Sequence, residues 1–184
     1  MIWWTADLHL GHKAIIKMQN RPFADVEEMN ETIIANYNAR VGKNDKVYIL
    51  GDITHHLPEE EAKKMIKRLN GKKYLLIGNH DKVVTPSGLF ENCEMLTRVN
   101  DFNKTFWVCH YPLLAWHHMR SGTIMLHGHC HNTPEYNITN KENRLLRFDV
   151  GCDACNYMPI NSKEIINFFG EEALNNPNCS DDTH

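Results

Sequence analysis

This sequence predicts an α/β domain, and two observations carry the prediction. Strand-like apolar runs alternate with amphipathic helical segments through the first 80 residues, the signature of βαβ units around a parallel sheet. Beyond residue 95 such runs continue with little helix between them, which adds a largely antiparallel set of strands to that core. The 184-residue length suits one domain, able to bury roughly 70% of the surface its unfolded chain exposes.

In chain order, Ile2-Trp3-Trp4-Thr5-Ala6 is short, aromatic and β-branched, as a buried strand is, and core packing is the default role of its tryptophans. Asp25 with Glu28 makes a capping box for a helix with Val26, Met29, Ile33 and Tyr37 on one face. Lys46-Val47-Tyr48-Ile49-Leu50 is the second strand. Pro58 followed by Glu59, Glu60 and Glu61 opens a second helix whose acids complement the helix dipole; Met65, Ile66 and Leu69 form its buried stripe. Tyr74-Leu75-Leu76-Ile77 is the third strand. Strands are then expected over 95–102, 105–109, 123–127 and 144–150, with a hairpin turn at Asn103-Lys104. Asn161 and Glu164 cap a last helix bearing Ile165, Ile166 and Phe169. The ordered domain is expected over 1–170. Residues 171–184, rich in Asn, Asp, Glu and Ser, read as a flexible tail.

Composition excludes several classes. Apolar residues at 42% and charged residues at 23% fit a folded globule. The net charge of −3 offers no basic excess for an extended nucleic-acid surface. No apolar run approaches the ~20 residues that span a bilayer, and Met1-Ile2-Trp3-Trp4 does not resemble a secretory leader. Six cysteines without such a leader are expected as free thiols in the cytoplasm. The lone Cys152-Asp153-Ala154-Cys155 is weak evidence for zinc or redox chemistry.

Histidine is the anomaly: twelve in all, nine of them between His55 and His131. Five of the predicted strands are followed by polar groups able to bind a metal. Asp7-Leu8-His9 follows the first, Gly51-Asp52 the second and Gly78-Asn79-His80-Asp81 the third; His110 and then Gly128-His129-Cys130-His131 follow later runs. In an open α/β sheet, ligands bind beyond the carboxyl ends of the strands, where these residues would converge. Asp-x-His alone is expected by chance about 0.65 times in such a chain, and Asp182-Thr183-His184 is a second match. Gly-Asn-His-Asp is expected only roughly 0.004 times, so the ordered set is not accidental.

These motifs resemble the calcineurin-like metallophosphoesterases, in the small single-domain form of bacteria and phages. The resemblance covers residues 1 to about 160. It implies a four-layer α/β/β/α sandwich of two mixed sheets with a dinuclear metal site at the strand C-terminal edge. It implies one ion held by Asp7, His9, Asp52 and His131, and a second by Asp52, Asn79, His110 and His129, with Asp52 bridging. Mixed carboxylate, amide and imidazole donors suit Mn, with Fe, Zn, Co and Ni as alternatives. Two such ions activate a water for attack on a phosphate ester. His80 would act on the leaving group, with Asp81 orienting its ring.

For substrate contacts, Arg21, Trp116, His117 and His118 are the candidates. Arg21 serves equally well in a salt bridge, and His12, His55, His56 and His127 read first as solvated or packing residues. The scarcity of arginine near the motifs, with only Arg21 and Arg120 at hand, favours a diester over a dianionic monoester. A surface of Trp116, His117 and His118 would suit a nucleoside. A phosphomonoesterase acting on nucleotides or phosphoproteins is the alternative, and a non-catalytic interaction scaffold a more distant one. Substrate and oligomeric state are not written in the sequence.

Overall fold

Side chains of β1 (Ile2–Thr5) alternate between two layers in the computed structural model, which describes residues 1–178. Trp3 joins one buried cluster with Met29, Ile33 and Ile66, from the helices that cover the first sheet. Trp4 joins another with Phe106, Val108 and Leu126 of the second sheet. Its ring stacks on Tyr48 at 5.0 Å and lies 5.4 Å from Phe106, so one tryptophan locks both sheets together.

The chain runs from β1 through a single turn, α1 (Ile15–Met18), to α2 (Val26–Arg40). The Asp25 carboxylate accepts from the Glu28 N–H at 2.8 Å, capping α2 as its sequence requires, and Met29, Ile33 and Tyr37 are buried. There follow β2 (Lys46–Ile49), α3 (Glu59–Lys67), β3 (Lys72–Leu76) and β4 (Asn92–Glu94). The second sheet comprises β5 (Leu96–Asp101), β6 (Lys104–Cys109), β7 (Ile124–His127) and β8 (Arg147–Asp149), with α4 (Pro134–Glu142) before β8. Last come β9 (Ile160–Asn161) and α5 (Ser162–Asn175), opened by a complete capping box between Asn161 and Glu164. The sheets are ordered β4-β3-β2-β1-β9 and β5-β6-β7-β8, and both are mixed. α4 and α5 lie against the second sheet, where Tyr136 of α4 meets His127 of β7 and Phe168 of α5 meets Phe148 of β8. Each fully buried aliphatic side chain of these layers contributes about 1.5–3 kcal/mol.

Three expectations are corrected. The second sheet is mostly parallel, because only β5 and β6 form an antiparallel pair; β6–β7 and β7–β8 run the same way. The helix α4 supplies one of the crossovers that parallel strands need, and its Asn- and Thr-rich sequence concealed it. The hairpin turn is Phe102-Asn103, one residue earlier than expected; both residues have positive φ, as the tight turn matching strand twist demands. Finally, residue 171 does not begin a tail. A break at Gly170 (φ 75°) redirects α5, after which Ala173 and Leu174 are buried in the core. Cys179 and the second Asp-x-His match lie outside the described residues.

The parallel second sheet has a direct consequence. The carboxyl ends of β1, β2, β3, β6, β7 and β8 all feed loops that meet at one edge. The Asp7 N–H donates to Gly51 O and the His9 N–H to Asp52 O, both at 3.0 Å, continuing the β1–β2 ladder into those loops. The Cys152 N–H donates to Ala6 O at 3.0 Å and joins the exit of β8 to that of β1.

Candidate metal centre

Two groups of side chains converge at this edge, Asp7/His9/His131 and Asp52/His110/His129. In each, one ligand atom from every residue lies within 4.8 Å of the others. Asn79 Oδ1 sits 3.0 Å from both His110 Nε2 and His129 Nδ1, and so joins the second group. Asp52 stands between them. Its Oδ1 accepts the His80 backbone N–H at 3.0 Å, while its Oδ2 faces His9 Nε2 at 3.6 Å, His110 Nε2 at 3.7 Å and His80 Nε2 at 3.9 Å.

Backbone geometry serves the site. Asp7, His9, Asp52, His129 and His131 all have positive φ, between 48° and 69°, a region Asp, Asn and His enter more readily than other residues. Such conformations cost of order 1 kcal/mol each and cluster at functional sites. Gly51 turns at φ +86°, and a Cβ there would collide with the His110 ring; a Cβ on Gly78 would collide with the Asp52 carboxylate. Asp81 is wholly buried and accepts three backbone N–H groups, from Asp52 and Gly78 at 2.8 Å and from Ile53 at 3.1 Å. Both its oxygens are thereby used. The expected role of Asp81 in orienting His80 is corrected: it ties the exit of β2 to that of β3.

Hydrogen bonds aim the imidazoles. The His110 Nδ1–H donates to Leu50 O at 2.7 Å, leaving the Nε2 lone pair for the site. The His131 Nδ1–H donates to Asp153 Oδ2 at 2.8 Å with the same effect. Asp153 is in turn gripped by Arg21, whose Nε and Nη2 each lie 2.9 Å from a carboxylate oxygen. Burial pushes the Asp153 carboxyl up, but the bonds from His131 and Arg21 outweigh it and hold the group below the usual range. The Arg21 side chain is 0% exposed and also donates to the carbonyls of Asp7 and Leu8. Arg21 is therefore a support beneath the site and makes no contact from the cleft.

The donor set fits divalent cations. Asp7 Oδ1 and His9 Nε2 are buried side-chain atoms without a hydrogen-bond partner, an arrangement that costs about 1–3 kcal/mol per group unless something binds there. Burial, reinforced by Asp149 and Asp52, pushes the Asp7 carboxyl well above its usual range. Burial and the neighbouring His131 push His9 far down. Neutral imidazoles and crowded carboxylates are what a cation between them would stabilise.

The remaining candidates divide. Trp116 is buried, its Nε1 donating to Thr123, and the His117 carbonyl accepts from Trp107 Nε1 and Thr123 Oγ1, each at 3.0 Å. Thr123 stands at the start of β7. A parallel crossover must return along the sheet, so Trp116, His117 and His118 gather at the edge opposite the Asp7/His9/His131 and Asp52/His110/His129 groups. The nucleoside-stacking surface expected of them is corrected accordingly. His127 is fully buried, between Gly128 O and Tyr136. Cys152 is buried and Cys155 half-buried, and burial pushes the Cys152 thiol up to about 12. Neither belongs to a metal-ligating group among the described residues.

The cleft wall comes from residues read as solvated or packing. His12 stacks on His55 with ring centroids 3.6 Å apart, and His55 meets His56 at 4.1 Å and His80 at 4.3 Å. Burial, then the rings of His12, His80 and His56, push His55 down to about 4. Asp153 and Asp149 were missed altogether. The signal was present, since Gly151-Cys152-Asp153 follows the eighth strand as Gly51-Asp52 follows the second.

A family model described as calcineurin-like phosphoesterase matches residues 1–176. The chain belongs to this family. The phosphoesterase is 34% identical over 170 residues to an uncharacterised protein of Methanocaldococcus jannaschii, covering 90% of this chain and 89% of that one. It is 28% identical over 182 residues to the gene 66 protein of Mycobacterium phage L5, covering 83% and 86%. A solved protein of unknown function from Aquifex aeolicus, AQ665, shares the fold with a TM-score of 0.72 at 23% identity, over 90% of this chain and 97% of that one. The phosphoesterase is thus a metal-dependent hydrolase acting on phosphate esters, with His and Asp clusters able to hold the metal.

Proposed function

We propose that the protein is a dinuclear phosphodiesterase, one ion held by Asp7, His9, Asp52 and His131 and the other by Asp52, Asn79, His110 and His129. The observation that carries this reading is Asp52 Oδ2, which faces imidazole nitrogens of both groups at 3.6 and 3.7 Å, as a shared ligand would. When bound, such ions lower the pKa of water and polarise the phosphoryl oxygens. Mixed hard and borderline donors favour manganese as the first ion to test.

The chain's own groups supply the rest. His80 is held at the cleft by its backbone N–H on Asp52 Oδ1, with its ring about one-third exposed. There it donates a proton to the leaving oxygen, a step that matters most for the poor alkoxide leaving group of a diester. The diester preference also rests on charge. A monoester dianion is best held by an arginine fork, and Arg21 is spent beneath the site on Asp153. No helix among the described residues is long and apolar enough to cross a membrane, and the free cysteines support a cytoplasmic setting.

The test compares kcat/KM for bis(p-nitrophenyl) phosphate and p-nitrophenyl phosphate in the same manganese buffer. The diester is expected to be preferred. A preference for the monoester that persists with natural nucleotides would replace this reading with a phosphomonoesterase.

A further inference from the structure

Beside the two ligand groups lies a third. One ring nitrogen from each of His55, His56 and His80 falls within 4.8 Å of the other two. The rings of His55 and His56 meet nearly at right angles, as do converging donors, and neither forms a hydrogen bond or ion pair with another described residue. His12, stacked flat on His55 at 3.6 Å, braces it from behind. His56 has a left-handed backbone (φ 50°) in the loop that leaves β2, and its ring lies 4.1 Å from His55 and 6.3 Å from His80. His56 is exposed and the other two rings are half-buried, so the group opens on the cleft.

We propose that His55, His56 and His80 form a third cation site, selective for zinc over manganese or magnesium, whose filling disables His80. The selectivity follows from the donors. The neighbouring groups mix carboxylate and amide oxygens with imidazole, whereas this one is imidazole alone, a set that favours zinc, copper and nickel over the harder ions. The distances suit zinc after a small adjustment. Zinc–nitrogen bonds of 2.0–2.1 Å place tetrahedral nitrogens roughly 3.4 Å apart, so rotations of partly exposed rings close the gap from 4.8 Å or less. Electrostatics do not forbid a third dication. The carboxylates of Asp7, Asp52, Asp149 and Asp153, offset by the Arg21 guanidinium, nearly cancel two dications.

The consequence rests on the reading of His80 as proton donor. A cation on its ring nitrogen takes the lone pair that would otherwise carry the proton, so excess zinc stops the reaction without touching the dinuclear ligands.

Zinc titration of the full chain, read as bound equivalents by elemental analysis and by the visible bands of cobalt as a substitute, tests the site directly. The wild type is expected to bind three equivalents. His56→Gly, which keeps the left-handed backbone, and His55→Ala are each expected to bind two. Loss of one of three ligands should weaken zinc by at least the 10–100-fold that loss of a mere supporting group costs. A wild type that binds no more zinc than His56→Gly overturns the third site and leaves the dinuclear reading standing. A His9→Ala variant that binds as much as the wild type overturns the dinuclear reading instead. In a second arm, manganese-loaded wild type should lose diesterase activity as zinc is added, and His56→Gly should resist about tenfold more zinc. Three equivalents without inhibition would confirm the site and refute the silencing of His80.

Discussion

Replacing Asp153 with Asn probes the support beneath the candidate metal ligands. The side chain keeps its shape and loses its charge. In the native protein this carboxylate, 8% exposed, accepts two bonds of 2.9 Å from Arg21 and one of 2.8 Å from His131. Removing one partner of a buried pair leaves the other charge uncompensated, which costs about 3–5 kcal/mol. The Asn carbonyl can still accept one Arg21 N–H, so the expected loss is about 3 kcal/mol. For a domain of this size that lowers Tm by roughly 6–12 °C.

The loss should depend on pH in one direction. The folded Asp153 carboxyl titrates below its unfolded value of about 3.9, so its contribution is present above that pH and vanishes as pH falls through the folded value. The gap between wild type and variant, measured by urea denaturation of chelator-stripped protein, should therefore be full at pH 7 and shrink in acid. The His131 ring also loses its orienting acceptor, and isothermal titration should show metal affinity about 10–100-fold lower. A variant that unfolds within about 1 kcal/mol of wild type and binds metal equally well would refute the argument. Loss of stability with unchanged metal affinity would reduce Asp153 to a structural clamp.

Two further outcomes follow from the geometry. Asp52→Asn keeps the Oδ1 acceptor for the His80 N–H but removes the shared charge, so it should lose more metal and more activity than His9→Ala; elemental analysis finding two full equivalents would exclude a bridging Asp52. His80→Ala should keep both ions of the dinuclear site yet lose about 10²–10⁴-fold in rate, less for a nitrophenolate leaving group than for an alkoxide. Equal losses across leaving groups would make His80 a phosphate-binding residue.

The residues that form the two ligand groups could be read from the chain because each directly follows an apolar run, and such runs announce buried strands whatever surrounds them. Asp7, Asp52, His110 and His129 are local facts of this kind. The cap at Asp25 and the capping box at Asn161 are local as well: each cap side chain accepts the N–H three residues on, and at Asn161 the Glu164 carboxylate also accepts the cap's own N–H. Strand direction is not local. A run such as Ile124–His127 reads the same in either orientation, and only the crossover through α4 and the return of residues 111–122 along the sheet make β6, β7 and β8 parallel. That choice carries Asp153 to the metal edge and takes Trp116, His117 and His118 away from it. Arg21 and Asp153 are separated by 132 positions, and no period or motif links them; a buried guanidinium needs a buried carboxylate, and packing alone decides which one it finds. The histidine wall is the same case. His12, His55, His56 and His80 come from three different loops, and their common surface exists only because β1, β2 and β3 end side by side.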